Sequence, residues 1–320
     1  MRCCPSSSNI FAAYAVALAV LGGCAGSPTR SEGRVTYLIS GGEPDLTDQY
    51  SSVVRVIIPT KGTCSGVLVN PQLVLAAAHC FCLPAQGTLA AKRTYAFTRA
   101  NTGNQAPLTC SQNAKIVATL YAPPGELPRA QGDVTRSGAA RVAAPVNIVY
   151  DGPVRTVIHE GYTFRTDEDA TIIGSEMDLA AIHLTGTFQG VGFEDKLPEQ
   201  EAQPGEFFVA VGYGPTESQE RGWRHFGSAK VMGLSLSGGA DSVFAFGRLE
   251  VPLREVKALT GDSGGPCFRE DTAGQRWLAG IISYSKTIDG ELITIFTSTF
   301  HHRAWINQQK DVSARTINSP

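Results

Sequence analysis

The sequence predicts an all-β protein, and three observations carry that expectation. Its 320 residues include 34 glycines and 18 prolines, which favour many turns over long helices. From Val53 onward the chain breaks into short, β-branched runs bounded by Gly, Pro and Asn: VVRVII, SGVLV, LVLAAA, KIVATL, NIVY, FFVAVGYG, LAGIISY and ITIFTST. No segment sustains a helical period until His301–Val312, where Trp305 and Ile306 can dock a short helix. With 42% hydrophobic and 18% charged residues the chain is neither disordered nor embedded in a membrane along its length. Charge removes one class of partner: 27 basic against 29 acidic side chains are too balanced to neutralise a run of phosphates, so nucleic acid is not expected.

Taken in order, the chain opens with an address. Arg2 precedes the apolar stretch Ile10–Leu21, too short to cross a hydrocarbon core of about 30 Å but suited to a signal peptide. Residues 1–24 are therefore expected to direct export. Leu21-Gly22-Gly23-Cys24 resembles the bacterial lipobox, which would place a lipid on Cys24 as an outer-membrane anchor; cleavage near Ala25, giving a secreted or periplasmic protein, is the alternative. Residues 25–38 are small, polar and basic and read as a linker. Cys3 and Cys4 leave with the signal, so the body keeps Cys64, Cys80, Cys82, Cys110 and Cys267. Exported thiols are expected to pair, and five leaves one over.

The stretch from Cys82 to Val154 is loop-rich and looks inserted between strands. Asp167, Glu168 and Asp169 cluster without the frame of a calcium loop and read as a solvated turn. No metal site and no cofactor are expected.

Chemistry concentrates in Gly261-Asp262-Ser263-Gly264-Gly265-Pro266. Glycines two before and two after a serine also fit the nucleophile elbow of an esterase, so the hexapeptide alone leaves two folds open. An elbow serine needs its acid and histidine downstream, where only Gly264–Pro320 remain, with His301 and His302 on a surface helix. The other arrangement has histidine first, aspartate second and serine last. Upstream stand Cys64-Ser65-Gly66-Val67-Leu68-Val69 and Leu75-Ala76-Ala77-Ala78-His79-Cys80, and further on Glu176-Met177-Asp178-Leu179-Ala180-Ala181-Ile182.

At these residues the sequence resembles the trypsin and chymotrypsin family of serine endopeptidases. The sixteen-residue offset from Cys64 to Cys80, with His79 just before the second cysteine, is that family's spacing. Thr156–Tyr162 matches the lead-in to its aspartate, Gly212-Tyr213-Gly214 the start of its second barrel, and Ile282-Ser283-Tyr284 the strand along its cleft. The fold so implied is two six-stranded antiparallel Greek-key β-barrels with a short C-terminal helix and the active site in the cleft between them. The barrels would span 39–196 and 197–299, the helix 300–313, and the insertion about 82–154.

The resemblance also implies roles. Ser263 is the nucleophile, His79 the general base and Asp178 the orienting acid; the N–H groups of Gly261 and Ser263 form the oxyanion hole, and Ser283 bonds Asp178. Cys64 pairs with Cys80, Cys82 is expected to pair with Cys110, and Cys267 is left as a buried free thiol. His159 is structural. Ile39-Ser40-Gly41-Gly42 matches the family's new N-terminus, so cleavage after Leu38 and an ion pair from the Ile39 amine to Asp262 are expected; cleavage after Arg34 is the rival. Such a cut would also sever a lipid on Cys24 from the enzyme. Lys257 stands near the position where trypsin-like members carry an acid, Leu259 replaces a usual cysteine, and Ser285 and Thr294 replace pocket glycines. Small or medium uncharged residues are therefore expected before the cut bond, with acidic residues the alternative. Expected partners are protein or peptide substrates and an activating protease, with the enzyme monomeric. A catalytically silent homologue that binds partners, and a G-x-S-x-G esterase, are the alternatives.

Overall fold

Apolar β-branched residues at alternating or continuous positions favour extended chain, because the branched side chains pack well on a pleated surface. Each of the eight predicted runs overlaps a strand of the computed structural model, which describes residues 42–59, 61–84, 89–97, 105–121, 145–169, 172–203, 205–215, 223–231, 248–252, 260–288 and 291–317. The expected signal, linker and lipidation residue Cys24, together with Ile39, Lys257 and Leu259, lie outside the described residues.

The chain runs β1 (Glu43–Pro44), β2 (Val53–Ile58), β3 (Gly62–Asn70), β4 (Leu73–Ala76), a 3-10 turn (Ala78–Cys80), β5 (Cys82–Pro84), β6 (Thr94–Ala96), β7 (Gln105–Cys110) and β8 (Lys115–Leu120). There follow β9 (Val146–Tyr150), β10 (Val154–Ile158), β11 (Thr163–Thr166), β12 (Ile172–Glu176), β13 (Ala180–Leu184), β14 (Phe207–Gly212) and β15 (His225–Lys230). The last elements are β16 (Arg248–Pro252), β17 (Pro266–Glu270), β18 (Arg276–Ile288), β19 (Glu291–Ser298) and α1 (Arg303–Ile317).

One seven-stranded sheet has the order β10-β13-β4-β3-β2-β8-β9, a second β1-β15-β14-β17-β18-β19-β16, and a five-stranded sheet β12-β11-β6-β7-β5. The β6–β7 pair is parallel; every other described pair is antiparallel. This is the mostly-β architecture, closed by a C-terminal helix, that the resemblance implies. Among the described residues each large sheet carries seven strands where six were expected, and in one the additional member is the two-residue β1 on β15. Within 82–154 the described residues form β5 to β9, and β8 and β9 extend the first sheet beside β2.

Packing locates the site. Every residue of β3 from Cys64 to Val69 is buried, so both faces of the strand are covered. The second sheet covers one of them: Ser65 N–H donates to the Ser263 carbonyl at 2.8 Å, and Tyr213 Oη donates to the Val53 carbonyl at 3.2 Å. A single apolar cluster accordingly joins Val53, Val67 and Leu75 to Val211, Phe268 and Ile281. Burial of such side chains contributes roughly 1.5–3 kcal/mol each, and it fixes the two sheets against one another. Helix α1 begins three residues after the expected 300 and docks through Trp305, Ile306, Gln309 and Ser313, one face at helical spacing. His183 on β13 meets that face, with Nδ1 2.7 Å from Ser313 Oγ and Nε2 3.0 Å from Gln309 Oε1. No helix among the described residues is long and apolar enough to cross a membrane, which says nothing about strands.

Candidate active site

His79 sits in the 3-10 turn that ends β4. Ala77 is still extended (φ −84°, ψ 142°), after which Ala78–Cys80 coil and turn the imidazole out of the core. Ala76, Ala77 and Ala78 are fully buried, and small side chains there let the turn lie close to the serine loop. The Cys64–Cys80 disulfide closes a sixteen-residue separation around this turn, and Cys82–Cys110 joins β5 to β7. Closing loops of that length restricts the unfolded chain by roughly 3 kcal/mol each. His79, Cys64 and Cys80 have ligand-type atoms within 4.8 Å of one another, but both sulfurs are spent in the disulfide and neither is a thiolate for a metal.

Asp178 precedes β13. Met177 before it holds a left-handed φ of 48°, an unusual conformation for a non-glycine residue, and its side chain turns outward while Asp178 turns in. The Asp178 side chain is 1% exposed and that of His79 23%. Asp178 Oδ1 accepts the His79 backbone N–H at 2.8 Å, Oδ2 lies 2.8 Å from His79 Nδ1, and Ser283 Oγ donates to Oδ2 as well. Carboxylate acceptance fixes the proton on Nδ1 and leaves Nε2 as the basic nitrogen. Burial acts to lower the His79 pKa, but the Asp178 charge and hydrogen bond outweigh it and raise the value above 6.5. For Asp178 burial acts upward, and the bonds and charge of His79 with the Ser283 bond carry the net shift downward.

Ser263 shares with His79, Asp178 and Ser283 a cavity of about 200 Å³ that Tyr162 and Tyr284 also line. A second cavity, of about 330 Å³, is lined by His79, Thr260, Ser263, Ser283 and Ser285. Gly261 adopts φ 113°, which a side chain would resist, and among the described residues nothing accepts a bond from the N–H of Gly261 or Ser263. Asp262 between them is fully buried and accepts the Gly214 N–H at 2.7 Å. A Cβ on Gly212 would stand 2.2 Å from Asp262 Oδ1 and one on Gly214 2.4 Å from Oδ2, the physical reason for glycine on both sides of Tyr213. Thr294 is buried on β19 in register with Ser285 and does not line the second cavity. Cys267 is buried and free, and burial pushes its thiol pKa well up, away from the reactive thiolate. His159 is buried against Trp305 and accepts the Gly161 N–H through Nδ1.

Two buried polar residues have partners that the sequence did not signal. Arg224, fully buried, bonds Asp45 Oδ2 through Nε at 2.7 Å and Asp48 Oδ1 through Nη2 at 2.6 Å, and donates to the Thr119 carbonyl and Tyr213 Oη through Nη1. Ser65, also fully buried, donates through Oγ to the Gly261 carbonyl at 2.8 Å and accepts the Tyr213 N–H at 2.9 Å. Ser65 lies in the Cys64–Val69 segment that carries the resemblance, but its side-chain partners are 148 and 196 positions away; the partners of Arg224 other than Tyr213 are 105 to 179 positions away.

The family model Trypsin matches residues 39–127 and 131–306 of the chain. No curated protein matches it.

Proposed function

Because this chain belongs to the trypsin family of serine proteases, we propose that it is an exported serine endopeptidase cutting peptide bonds through Ser263, His79 and Asp178. The observation that carries the reading is the buried Asp178 bound to His79 in a cavity that Ser263 shares. In the proposed reaction Ser263 Oγ bonds to the scissile carbonyl carbon while His79 Nε2 takes the hydroxyl proton. Asp178 holds the imidazole tautomer and stabilises the imidazolium. The N–H groups of Gly261 and Ser263 bind the oxyanion. Collapse breaks the carbon–nitrogen bond, the proton passes from His79 to the leaving amine, and water repeats the sequence to release the acid.

Export and processing complete the proposal. Residues 1–24 are removed or lipidated at Cys24, 25–38 form a propeptide, and 39–196 and 197–299 are the two barrels. Two disulfides suit an oxidising compartment. Cleavage before Ile39 frees an amine for Asp262, whose buried site beside Gly214 supports that role. Ser285 beside the nucleophile favours small or medium uncharged side chains before the cut bond.

Ser263→Ala or His79→Ala is expected to lower turnover about 10⁶-fold. A serine-reactive fluorophosphonate labels the processed wild type and not Ser263→Ala. Absence of label on correctly processed, folded wild type would leave a partner-binding homologue as the better reading.

A further inference from the structure

We propose that Ser65 is a positioning residue for this reaction: its buried hydroxyl holds the 261–262 peptide, the one between the two that carry the Gly261 and Ser263 N–H groups, so that these groups stay turned toward the substrate carbonyl. The assignment rests on the reading of Ser263 as nucleophile.

The direction of each hydrogen bond follows from the atoms. Tyr213 N–H can only donate and the Gly261 carbonyl can only accept, so the single proton of the Ser65 hydroxyl goes to Gly261 and its lone pair to Tyr213. Ser65 also donates its own N–H to the Ser263 carbonyl. One residue of β3 therefore draws in both loop carbonyls, at 261 and at 263, by side chain and main chain respectively. The Gly261 carbonyl shares its peptide with the Asp262 N–H, and that peptide stands between the 260–261 and 262–263 peptides, whose N–H groups at 261 and 263 have no acceptor among the described residues; fixing it limits how either can turn and leaves both for the substrate. The same hydroxyl ties that loop to Tyr213, whose flanking glycines enclose the Asp262 carboxylate. It thus joins the two walls of the Asp262 site, while Gly261 at φ 113° has the backbone freedom to turn if released.

Removing the hydroxyl leaves the buried Tyr213 N–H and Gly261 carbonyl without partners, and rotation of the 261–262 peptide becomes a way to find new ones. The oxyanion donors act on charge that develops in the transition state, so their misplacement lowers kcat and spares KM.

The test uses the full processed enzyme with S65A, which removes the hydroxyl, and S65T, which keeps it. For S65A, kcat is expected to fall about tenfold or more, less than the loss of a donor itself, with KM within about twofold of wild type. Affinity for a peptide trifluoromethyl ketone, which forms a tetrahedral adduct with the serine, falls in parallel, and S65T recovers most of both. S65G, which leaves room for a water to pair with the two groups, carries the same test if S65A does not fold. Unchanged kcat and ketone affinity in folded S65A or S65G overturn the assignment, as does a rise in KM alone or an equal loss in folded S65T. If wild type turns over peptide and S65A matches it, only the Ser65 assignment falls. If wild type itself neither turns over peptide nor takes the fluorophosphonate, the protease reading falls with it.

Discussion

Asp178 and Asp45 are both 1% exposed and each faces a cation, but only one of those cations can lose its charge near neutral pH. Asp178 faces His79, whose side chain keeps 23% exposure to the cleft and whose second nitrogen is left over for chemistry. Asp45 faces Arg224, whose guanidinium is wholly buried and engages Asp45, Asp48, Thr119 and Tyr213. Burial opposes the Arg224 charge, yet Tyr213, Asp45 and Asp48 raise its pKa further, so it stays charged at any working pH. The first cluster is a buried carboxylate with an adjustable partner; the second is a fixed tie. Arg224 joins the turn after β1 to β15 and, through Thr119 and Tyr213, to strands on either side, which supports the frame and leaves no group free to take up or deliver a proton. Burial of an ion pair therefore does not by itself mark a catalytic site. What separates the two is a titratable member with one side open to a cleft.

The sharpest break in that comparison comes from Asp178→Asn, which is expected to cost about 10⁴ in kcat with the fold retained, the loss that goes with the wrong imidazole tautomer. Steady-state kinetics on the folded variant checks it. A loss of only a few-fold would make Asp178 another structural carboxylate like Asp45.

Arg224→Met tests the other side. It leaves Asp45 buried without its cation and is expected to destabilise the fold by about 3–5 kcal/mol, read from denaturant midpoints, with kcat per folded molecule close to wild type. Replacing Arg224, Asp45 and Asp48 together by apolar residues should recover most of that stability, because no uncompensated charge remains. A large fall in kcat with little loss of stability would move Arg224 into the catalytic cluster.

The smallest effect expected is a displacement in pH. With neutral His79 as the proposed general base, kcat/KM is expected to rise with pH through an apparent value above 6.5. In Asp178→Asn the upward push is gone while burial still acts downward, so that limb moves to lower pH; an unmoved limb would contradict the assigned coupling. Stability runs the other way. The raised His79 pKa makes its contribution complete below 6.5 and lost as pH climbs through the folded value. The lowered Asp178 pKa makes its contribution complete above 3.8 and lost as pH falls through the folded value. The pair is thus most stabilising between 3.8 and 6.5, on the acid side of the pH range in which it would catalyse.

Strand positions were legible because the β-branched runs are contiguous: VVRVII coincides with β2 and KIVATL with β8. Strands β6 and β7 were not, since Thr94–Ala96 is short and Gln105–Cys110 carries a proline, and their pairing depends on β11 and β5 elsewhere in the chain. Helix α1 was legible from Trp305 and Ile306, although its end at Ile317 lies past the apolar residues that signalled it.

By itself the sequence determined the all-β class, the cysteine-flanked His79 segment, and the glycine-bounded Ser263 loop, because each is a local demand. A tight loop needs glycine within a residue or two, and a half-buried strand needs apolar side chains in a row. Tertiary structure alone decided which of the other buried polar atoms meet: Ser65 with Gly261 across 196 positions, and Arg224 with Asp45 across 179. Serine, arginine and aspartate are common surface residues, and nothing nearby in the chain announces that these members are buried. Their partners are set by the requirement that a polar group taken out of water be satisfied, and that requirement is met only where the folded sheets bring distant backbone and side chains together.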